Sequence, residues 1–284
     1  MSLPENGRPA PSANAAPSTP VPGPGPSRVR HGVGRLLPPL IFAAIVLGSW
    51  QLGVDRSGLS EALLPKPTSV AQALWDDRTL LRDNAWVTLR EILAGDALAL
   101  LLGVGSGVAL AAARPLQRAV YPWLVISQTV PIIAIAPVFV LWTGFGILPK
   151  LMVIALVSYF PLTVTTIDGL GAVDPALLDL LRTLGGTPFH IFRMARLPAA
   201  LPSLFSGLKV AATLSVVGAV FGEWVGSSDG LGYLILTFNN QTATAEVFAA
   251  IAVLAAIGVV LFGLVSLLEW LLLPWRHGAA QRPM

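Results

Sequence analysis

Few residues of this sequence have a type and spacing that could carry out chemistry. Cysteine is absent, which excludes disulfides, cysteine-based zinc sites and a thiol nucleophile. The histidines, His31, His190 and His277, lie too far apart to show metal-ligand spacing. Two acids, Asp96 and Glu223, fall in long apolar stretches. No clustered acid and base or metal set occurs, so the sequence predicts no catalytic centre in this chain.

The elements that must position these groups are unusually apolar. Hydrophobic residues make up 54% of the 284 residues, and charged residues only 12%, about half of what a soluble domain carries. A lipid bilayer is the solvent that accommodates such an excess. The net charge of +3 does not indicate a nucleic-acid-binding face. We therefore expect an integral membrane protein.

Six apolar stretches have the length of a membrane-spanning helix, about 20 residues each. Backbone groups in lipid must be hydrogen-bonded internally, so these stretches are predicted to be helices rather than strands. The predicted spans are Leu36–Val54, Ile92–Ala113, Tyr121–Thr143, Ile147–Ile167, Leu204–Gly226 and Val247–Leu273. The predicted fold class is thus an all-α integral membrane protein.

The remaining segments divide the chain into domains. Residues 1–35, rich in Pro, Ala, Ser and Gly, are predicted to be a disordered tail because they can bury little apolar area. Residues 36–275 form the six-span domain, and 276–284 form a C-terminal tail. In segment 55–91, Thr68 or Ser69 could cap a helix that begins near Val70. We interpret this segment as an amphipathic helix on the outer surface, with a docking surface for an external partner as the alternative.

The distribution of Lys and Arg predicts the orientation. The two ends of the chain and the loops after the second and fourth spans hold eleven basic residues, against six in the opposite set of segments. Cytoplasmic loops collect basic residues, so both termini are expected in the cytoplasm. The fifth span contains one further base, Lys209.

The long loop after the fourth span contains signals for two short helices. Asp174 is a predicted N-cap with Pro175 at the first helical position, and Gly185-Gly186 ends that helix. Thr187 and Pro188 repeat the start signal for a second helix, which Leu197-Pro198 is expected to stop. The segment is therefore predicted to be a helix–glycine–helix hairpin, about 174–198, on the cytoplasmic side.

This hairpin resembles the cytoplasmic signature of importer permeases of the ABC superfamily, E-A-A-x3-G-x9-I-x-L-P. Asp179-Leu180-Leu181 occupies the first three places, Gly185 the glycine, and Leu197-Pro198 closes the motif at the same spacing. The departures are Asp for Glu, Leu-Leu for Ala-Ala, and Ala195 where Ile or Val is usual. Segments 128–137, 142–146, 197–208, 222–235 and 240–251 are similar to nitrate/sulfonate/taurine-type permeases, so the resemblance covers about residues 36–275.

The resemblance implies a type I ABC importer permease fold in a bacterial inner membrane. It implies that two permease copies form the pathway as a homodimer, that each hairpin docks on one of two ATP-binding subunits, and that an extracytoplasmic solute-binding protein delivers the solute. ATP and Mg would be used by the partner ATPase, and this sequence contains no phosphate-binding G-x-x-x-x-G-K-[ST] loop. The implied ATPase-coupling residues are Asp179, Arg182, Gly185, Phe189, Phe192, Leu197 and Pro198. Phe189 and Phe192 either anchor in the ATPase or pack on the hairpin's own first helix.

Polar and proline residues of the spans are candidates for a solute pathway. Pro131 and Pro137 are expected to interrupt the third span, and Pro161 the fourth, because proline frees backbone carbonyls. The candidates are Gln128, Thr129, Pro131, Tyr159 and Thr163. Hydroxyl groups that bond their own helix are the alternative. For Asp96 and Glu223, the alternative to a functional role is a side chain that reaches the membrane interface.

Two alternative classes of protein, and the identity of the cargo, remain open from the sequence. A secondary transporter would show internal repeats and acids at ion sites, and a membrane enzyme would need a catalytic cluster. For the cargo, a pyrimidine precursor of thiamine or a riboflavin-like compound is favoured, followed by sulfonates, taurine and nitrate.

Overall fold

A computed structural model describes residues 33–58 and 60–275, with side chains from Leu37 onward. The parts of the predicted tails at 1–32 and 276–284 lie outside the described residues. Within those described, the regular elements are all helical. They are α1 (Val33–Ser57), α2 (Pro67–Asp76), α3 (Arg78–Ala112), α4 (Arg114–Ser127), α5 (Ile132–Thr143), α6 (Ile147–Gly171), α7 (Pro175–Thr183), α8 (Pro188–Ile191), a π-helical turn (Phe192–Arg196), α9 (Leu197–Gly226), α10 (Leu231–Asn240) and α11 (Thr244–Leu272).

Contacts divide the chain into two units, residues 1–48 and 49–284. The described part of the first unit is the beginning of α1, which contains Pro38 and Pro39. In the second unit, α6 packs extensively against both α3 and α9, and α11 packs against α9 and α10. Buried aliphatic residues of α3, α6 and α9 form the centre of this unit, as in the cluster of Ala99, Ala155, Leu162 and Ala211.

Small residues allow α3 and α6 to approach closely. A Cβ added at Gly103 would lie 2.9 Å from the Leu162 side chain, and one at Gly107 would lie 2.6 Å from Thr166. Gly105 has no such contact, since an added Cβ there would meet nothing within 4 Å. Close contacts like those at Gly103 and Gly107 let two helix backbones approach each other, which stabilises helix association in lipid.

The number of membrane-length helices depends on how the third predicted span is counted. Five helical segments in the described residues are long and apolar enough to cross a membrane: Leu37–Ser57, Arg78–Ala112, Ile147–Gly171, Pro188–Gly226 and Thr244–Leu272. A sixth span requires α4 and α5 to be taken together, and these helices are bent by 100° at their break.

The bend is the main departure from the predicted single helix at Tyr121–Thr143. Pro131 is the residue before α5, with an extended backbone, and α4 ends at Ser127. Proline lacks the N–H that would continue the ladder, which explains the location of the break. Pro137 lies within α5 and Pro161 within α6, and neither ends its helix, so the expected interruptions at Pro137 and Pro161 are wrong.

The predicted amphipathic segment also differs in its boundaries. α2 begins at Pro67 after Lys66, without a side-chain cap from Thr68 or Ser69. It ends at Asp76, and α3 starts at Arg78 and continues without a break to Ala112. The second span therefore belongs to a helix of 35 residues that begins well before Ile92.

Candidate functional site

The first half of the hairpin forms as its sequence predicts. The Asp174 side chain accepts a hydrogen bond from the Ala176 backbone N–H at 2.8 Å, and Pro175 opens α7. After α7, Gly185 has φ +82°, and the Gly186 N–H donates to the Leu181 carbonyl at 2.9 Å. The left-handed backbone at Gly185 is the reason for a glycine there.

The second half begins as predicted but ends differently. The Thr187 hydroxyl accepts a hydrogen bond from the His190 N–H at 3.3 Å, and Pro188 opens α8. Leu197-Pro198 does not stop this helix, because helical backbone continues from Pro188 to Gly226. The π turn explains the difference: the Leu197 N–H donates to the Phe192 carbonyl, five residues back. Such a widened turn accommodates a proline that a regular α-helix would exclude.

A small core holds the two halves of the hairpin together. Val173, Leu178 and Ile191 are buried together, with Leu181 and Ala195 packed against them. The sequence left open that Phe189 and Phe192 pack on the first helix of the hairpin. The residue at the centre of that contact is instead Ile191. Phe189 is 73% exposed, and Phe192 is half-buried.

The hairpin also has large apolar side chains outside this core that are exposed. We call this set the hairpin face; it consists of Leu177, Leu180, Leu184, Phe189 and Met194. Next to it, the Arg182 Nη1 lies 2.7 Å from the Asp179 Oδ1, and both side chains are more than half exposed. An exposed pair of this kind contributes about 0–1 kcal/mol to stability, so its residues are free to exchange partners.

A buried polar network lies at the other end of the spans, around Glu223 of α9. This side chain is 1% exposed. Its Oε1 accepts from the Thr88 hydroxyl at 2.6 Å, and its Oε2 accepts from the Gly232 backbone N–H. The Leu231 N–H donates to the Thr88 hydroxyl at 2.9 Å, and the Gly230 N–H donates to the Asn84 side chain at 2.7 Å. Side chains of α3 and α9 thus satisfy the free N–H groups at the start of α10.

A second buried group adjoins this network. The Lys150 Nζ lies 2.6 Å from the Glu91 Oε1 and donates to the Ser227 hydroxyl at 2.6 Å, while Asp229 is 3.6 Å away. Together these residues tie α3, α6 and α9 to the loop before α10.

The sequence did not predict that these charged residues meet. Lys150 falls in the predicted span Ile147–Ile167 and lies in the first turn of α6, with 6% exposure, where it reaches Glu91 of α3. The alternative that the Glu223 side chain reaches the membrane interface is wrong, because its carboxylate is buried and hydrogen-bonded to Thr88 and Gly232. The signal that could have found the pair is that Glu91 and Lys150 lie at the same predicted end of neighbouring spans with opposite charges.

Two further polar contacts lie between the spans. Asp96 accepts a hydrogen bond from the Ser158 hydroxyl at 2.9 Å, which joins α3 to α6. Lys209 of α9 forms an ion pair with Glu269 of α11. Groups of three or more potential metal ligands are absent from residues 33–58 and 60–275.

The candidate pathway residues divide into two groups. Gln128, Thr129 and Pro131 are exposed at the break between α4 and α5. Tyr159 is half-buried against an apolar cluster, and Thr163 is fully buried and donates to the Tyr159 carbonyl at 2.8 Å. Thr163 therefore offers little surface for a solute. Its hydroxyl bonds its own helix, which is the alternative that the sequence left open.

Comparison with known proteins assigns this architecture. The family model for binding-protein-dependent transport system inner membrane components matches residues 99–272. The chain belongs to this family of ABC transporter permeases.

Individual permeases are similar along most of their length. A probable ABC transporter permease of Haemophilus influenzae is 40% identical, over 84% of this chain and 96% of the relative. The formylaminopyrimidine transport permease ThiX of Halalkalibacterium halodurans is 37% identical, over 84% and 96%. Among solved structures, the inward-facing MetNI methionine ABC transporter matches with a TM-score of 0.57 and 22% identity, covering 68% of this chain and 94% of that one.

These findings confirm the fold class and the family resemblance. The permease is a multi-pass inner-membrane subunit with the type I importer fold, and it is a non-catalytic subunit rather than an enzyme. Its family works with ATPase and solute-binding partners. The alternative of a secondary transporter is therefore not retained.

Proposed function

We propose that this permease couples ATP hydrolysis in a separate ATPase to solute import through its hairpin at residues 174–198. The observation that carries the proposal is the exposed apolar hairpin face on a hairpin that is already capped and packed. Leu184 and Phe189 are 74% and 73% exposed at its tip, although Leu178 and Ile191 of the same hairpin are buried. Exposed apolar residues on a rigid support are typical of a surface that is buried by a partner.

The roles of individual residues follow from their placement. Phe189 and Leu184 would insert into the ATPase groove, and Phe192 would support them from the half-buried side. Asp179 and Arg182 would exchange their mutual ion pair for partner contacts. Leu197 and Pro198, next to the π turn, would join the hairpin to α9.

The proposal includes the orientation and assembly. The hairpin would lie in the cytoplasm with both termini, as the excess of basic residues at that end predicts. Two copies would form a homodimeric pathway with two ATP-binding subunits. Within each copy, we propose that Gln128, Thr129 and Pro131 contact the solute, since the α4–α5 break exposes polar groups in an otherwise apolar region.

For the cargo, we favour a pyrimidine precursor of thiamine or a riboflavin-like compound. The similarity to a relative that is named a formylaminopyrimidine transport permease supports this choice. Sulfonates, taurine and nitrate are the next candidates.

The decisive experiment combines co-purification with uptake. Candidate ATPase subunits from the same genome are expressed with the tagged permease, and uptake of labelled formylaminopyrimidine, riboflavin and taurine is measured with and without ATPase expression. We expect Leu184→Ser and Phe189→Ser to release the ATPase and stop uptake. Leu63→Ser, at an equally exposed leucine outside the hairpin, is the matched control. Uptake that persists without the ATPase and collapses with the proton gradient would overturn the proposal.

A further inference from the structure

A cavity of about 410 Å³ lies where the hairpin joins the spans. Its wall is formed by the end of α3, the first turns of α4, the end of α6, α7 and the last residue of the π turn. Its polar lining consists of Arg114, Gln117, Asp168, Asp179, Arg182 and Arg196. A second cavity of about 490 Å³ shares Arg114, Gln117 and Asp168 with it and adds Arg118.

The charges of this lining are unequal. Asp179 and Arg182 pair with each other at 2.7 Å. Among the described residues, neither Arg114 nor Arg196 has an ion-pair partner within 4.0 Å, and Asp168 is the remaining acid of the lining. With Arg118 in the adjoining cavity, three unpaired guanidinium groups face one carboxylate. The combined cavity therefore favours an anion.

Arg196 gives an independent indication of a ligand. Its Nε is buried and lacks a hydrogen-bond partner among the described residues. A buried donor without an acceptor costs about 1–3 kcal/mol, and more on a charged group. A guanidinium has a planar arrangement of donors that matches a phosphate in two parallel hydrogen bonds.

We propose that this cavity binds a phosphate-type oxyanion, with Arg196 and Arg114 as its main ligands and Gln117 as a neutral donor. The ligand is the headgroup of an anionic phospholipid or a free phosphorylated solute, which present the same chemistry. A bound anion would link the start of α4 to the π turn, so it would hold the hairpin against the spans. None of the five side chains of the hairpin face lines this site, but it shares Asp179 and Arg182 with the proposed ATPase contact, so it adds an anion ligand to that contact.

The test measures binding to the full-length purified permease. Inorganic pyrophosphate is titrated in detergent, and retention of phosphatidylglycerol against phosphatidylcholine is measured by native mass spectrometry. We expect Arg196→Gln to weaken binding by about 10-fold or more, the effect of losing a charge-assisted contact. Arg193→Gln is the matched control, because it removes a charge from the same π turn outside the cavity lining. Its effect should stay within about twofold.

Two further variants keep the proposal falsifiable if Arg196→Gln fails to fold. Arg196→Lys keeps the charge without the planar donors and should bind more weakly than wild type. Asp168→Asn removes the opposing carboxylate at an exposed position and should bind more tightly. Preferential retention of phosphatidylglycerol identifies a lipid headgroup, and binding of pyrophosphate alone identifies a free anion. Equal losses in Arg193→Gln and Arg196→Gln, or no gain in Asp168→Asn, would overturn the site.

Discussion

Lys150 on α6 and Glu91 on α3 form a buried ion pair, with 2.6 Å between Nζ and Oε1 and side-chain exposures of 7% and 4%. Two charges removed from solvent are costly, and the pair is tolerated because each neutralises the other. Ser227 satisfies a further donor of Lys150. The pair therefore fixes α3 against α6 at the end opposite the hairpin.

Removing one partner of this pair should be more damaging than removing both. Lys150→Met leaves the Glu91 carboxylate buried without its cation, at a cost of about 3–5 kcal/mol. The double variant Glu91→Gln with Lys150→Met should recover part of that loss. Unfolding of the detergent-purified permease measures both. Lys66→Met, which breaks solvent-exposed pairs with Asp55 and Glu61, is the control and should cost much less than Lys150→Met. Additive losses in the double variant would show that the pair is not coupled.

Gly230→Ala should loosen α10. Gly230 has φ +104°, and a Cβ there would lie 2.3 Å from the Glu223 carboxyl group. Gly230 also has ψ 164°, a backbone region that essentially only glycine adopts, so strain alone costs about 1–3 kcal/mol, and the displaced carboxylate would lose its bond to Gly232. Hydrogen exchange of the amides of α10 should accelerate. Gly105→Ala, where nothing lies within 4 Å, should leave exchange unchanged. Unchanged exchange in Gly230→Ala would mean that Glu223 does not hold α10.

The two glycines of the hairpin should respond differently to substitution. Gly185 has nothing within 4 Å of an added Cβ, so Gly185→Trp can be accommodated within this chain apart from backbone strain of about 1–2 kcal/mol. A bulky group at the exposed bend should block docking and abolish uptake while the protein remains in the membrane. A Cβ at Gly186 would lie 2.7 Å from the Leu181 carbonyl, so Gly186→Ala should distort the hairpin itself.

Limited proteolysis separates these two effects. Gly186→Ala should increase cleavage within 174–198, and Gly185→Trp should not. Normal uptake by Gly185→Trp would contradict the role assigned to the hairpin.

The absence of cysteine makes the orientation directly testable. Leu63→Cys and Leu184→Cys replace side chains that are both 74% exposed. A membrane-impermeant maleimide added to intact spheroplasts should label Leu63→Cys and should label Leu184→Cys only after lysis. The reverse pattern would place the hairpin outside the cell and contradict ATPase docking.

Local signals in the sequence predicted the parts of the fold that depend on neighbouring residues. The caps at Asp174 and Thr187 and the bend at Gly185 follow from short-range hydrogen bonds and backbone sterics, and all three form as predicted. The break before Pro131 also has a local cause. The angle of 100° between α4 and α5 has no local cause, because tertiary packing decides the angle between two helices on either side of a break.

Polar contacts between distant segments could not be read in the same way. Lys150 and its partner Glu91 are 59 residues apart in the sequence, so the residues around either one do not indicate the ion pair. The start of α3 was missed for a related reason: Arg82, Asp83 and Arg90 lower the apolar character of a helix that extends beyond the apolar stretch. At Leu197-Pro198, the expected stop failed because a π turn accommodates the proline.

The uninterrupted helix from Pro188 to Gly226 has a mechanical consequence. Its 39 residues correspond to a length of about 58 Å at 1.5 Å per residue. Phe189 lies at one extremity of this rod, and Glu223 lies at the other. A displacement of Phe189 along the helix axis would therefore be transmitted towards Glu223, and the π turn and Pro202 are the two places where this helix could bend and absorb part of the movement.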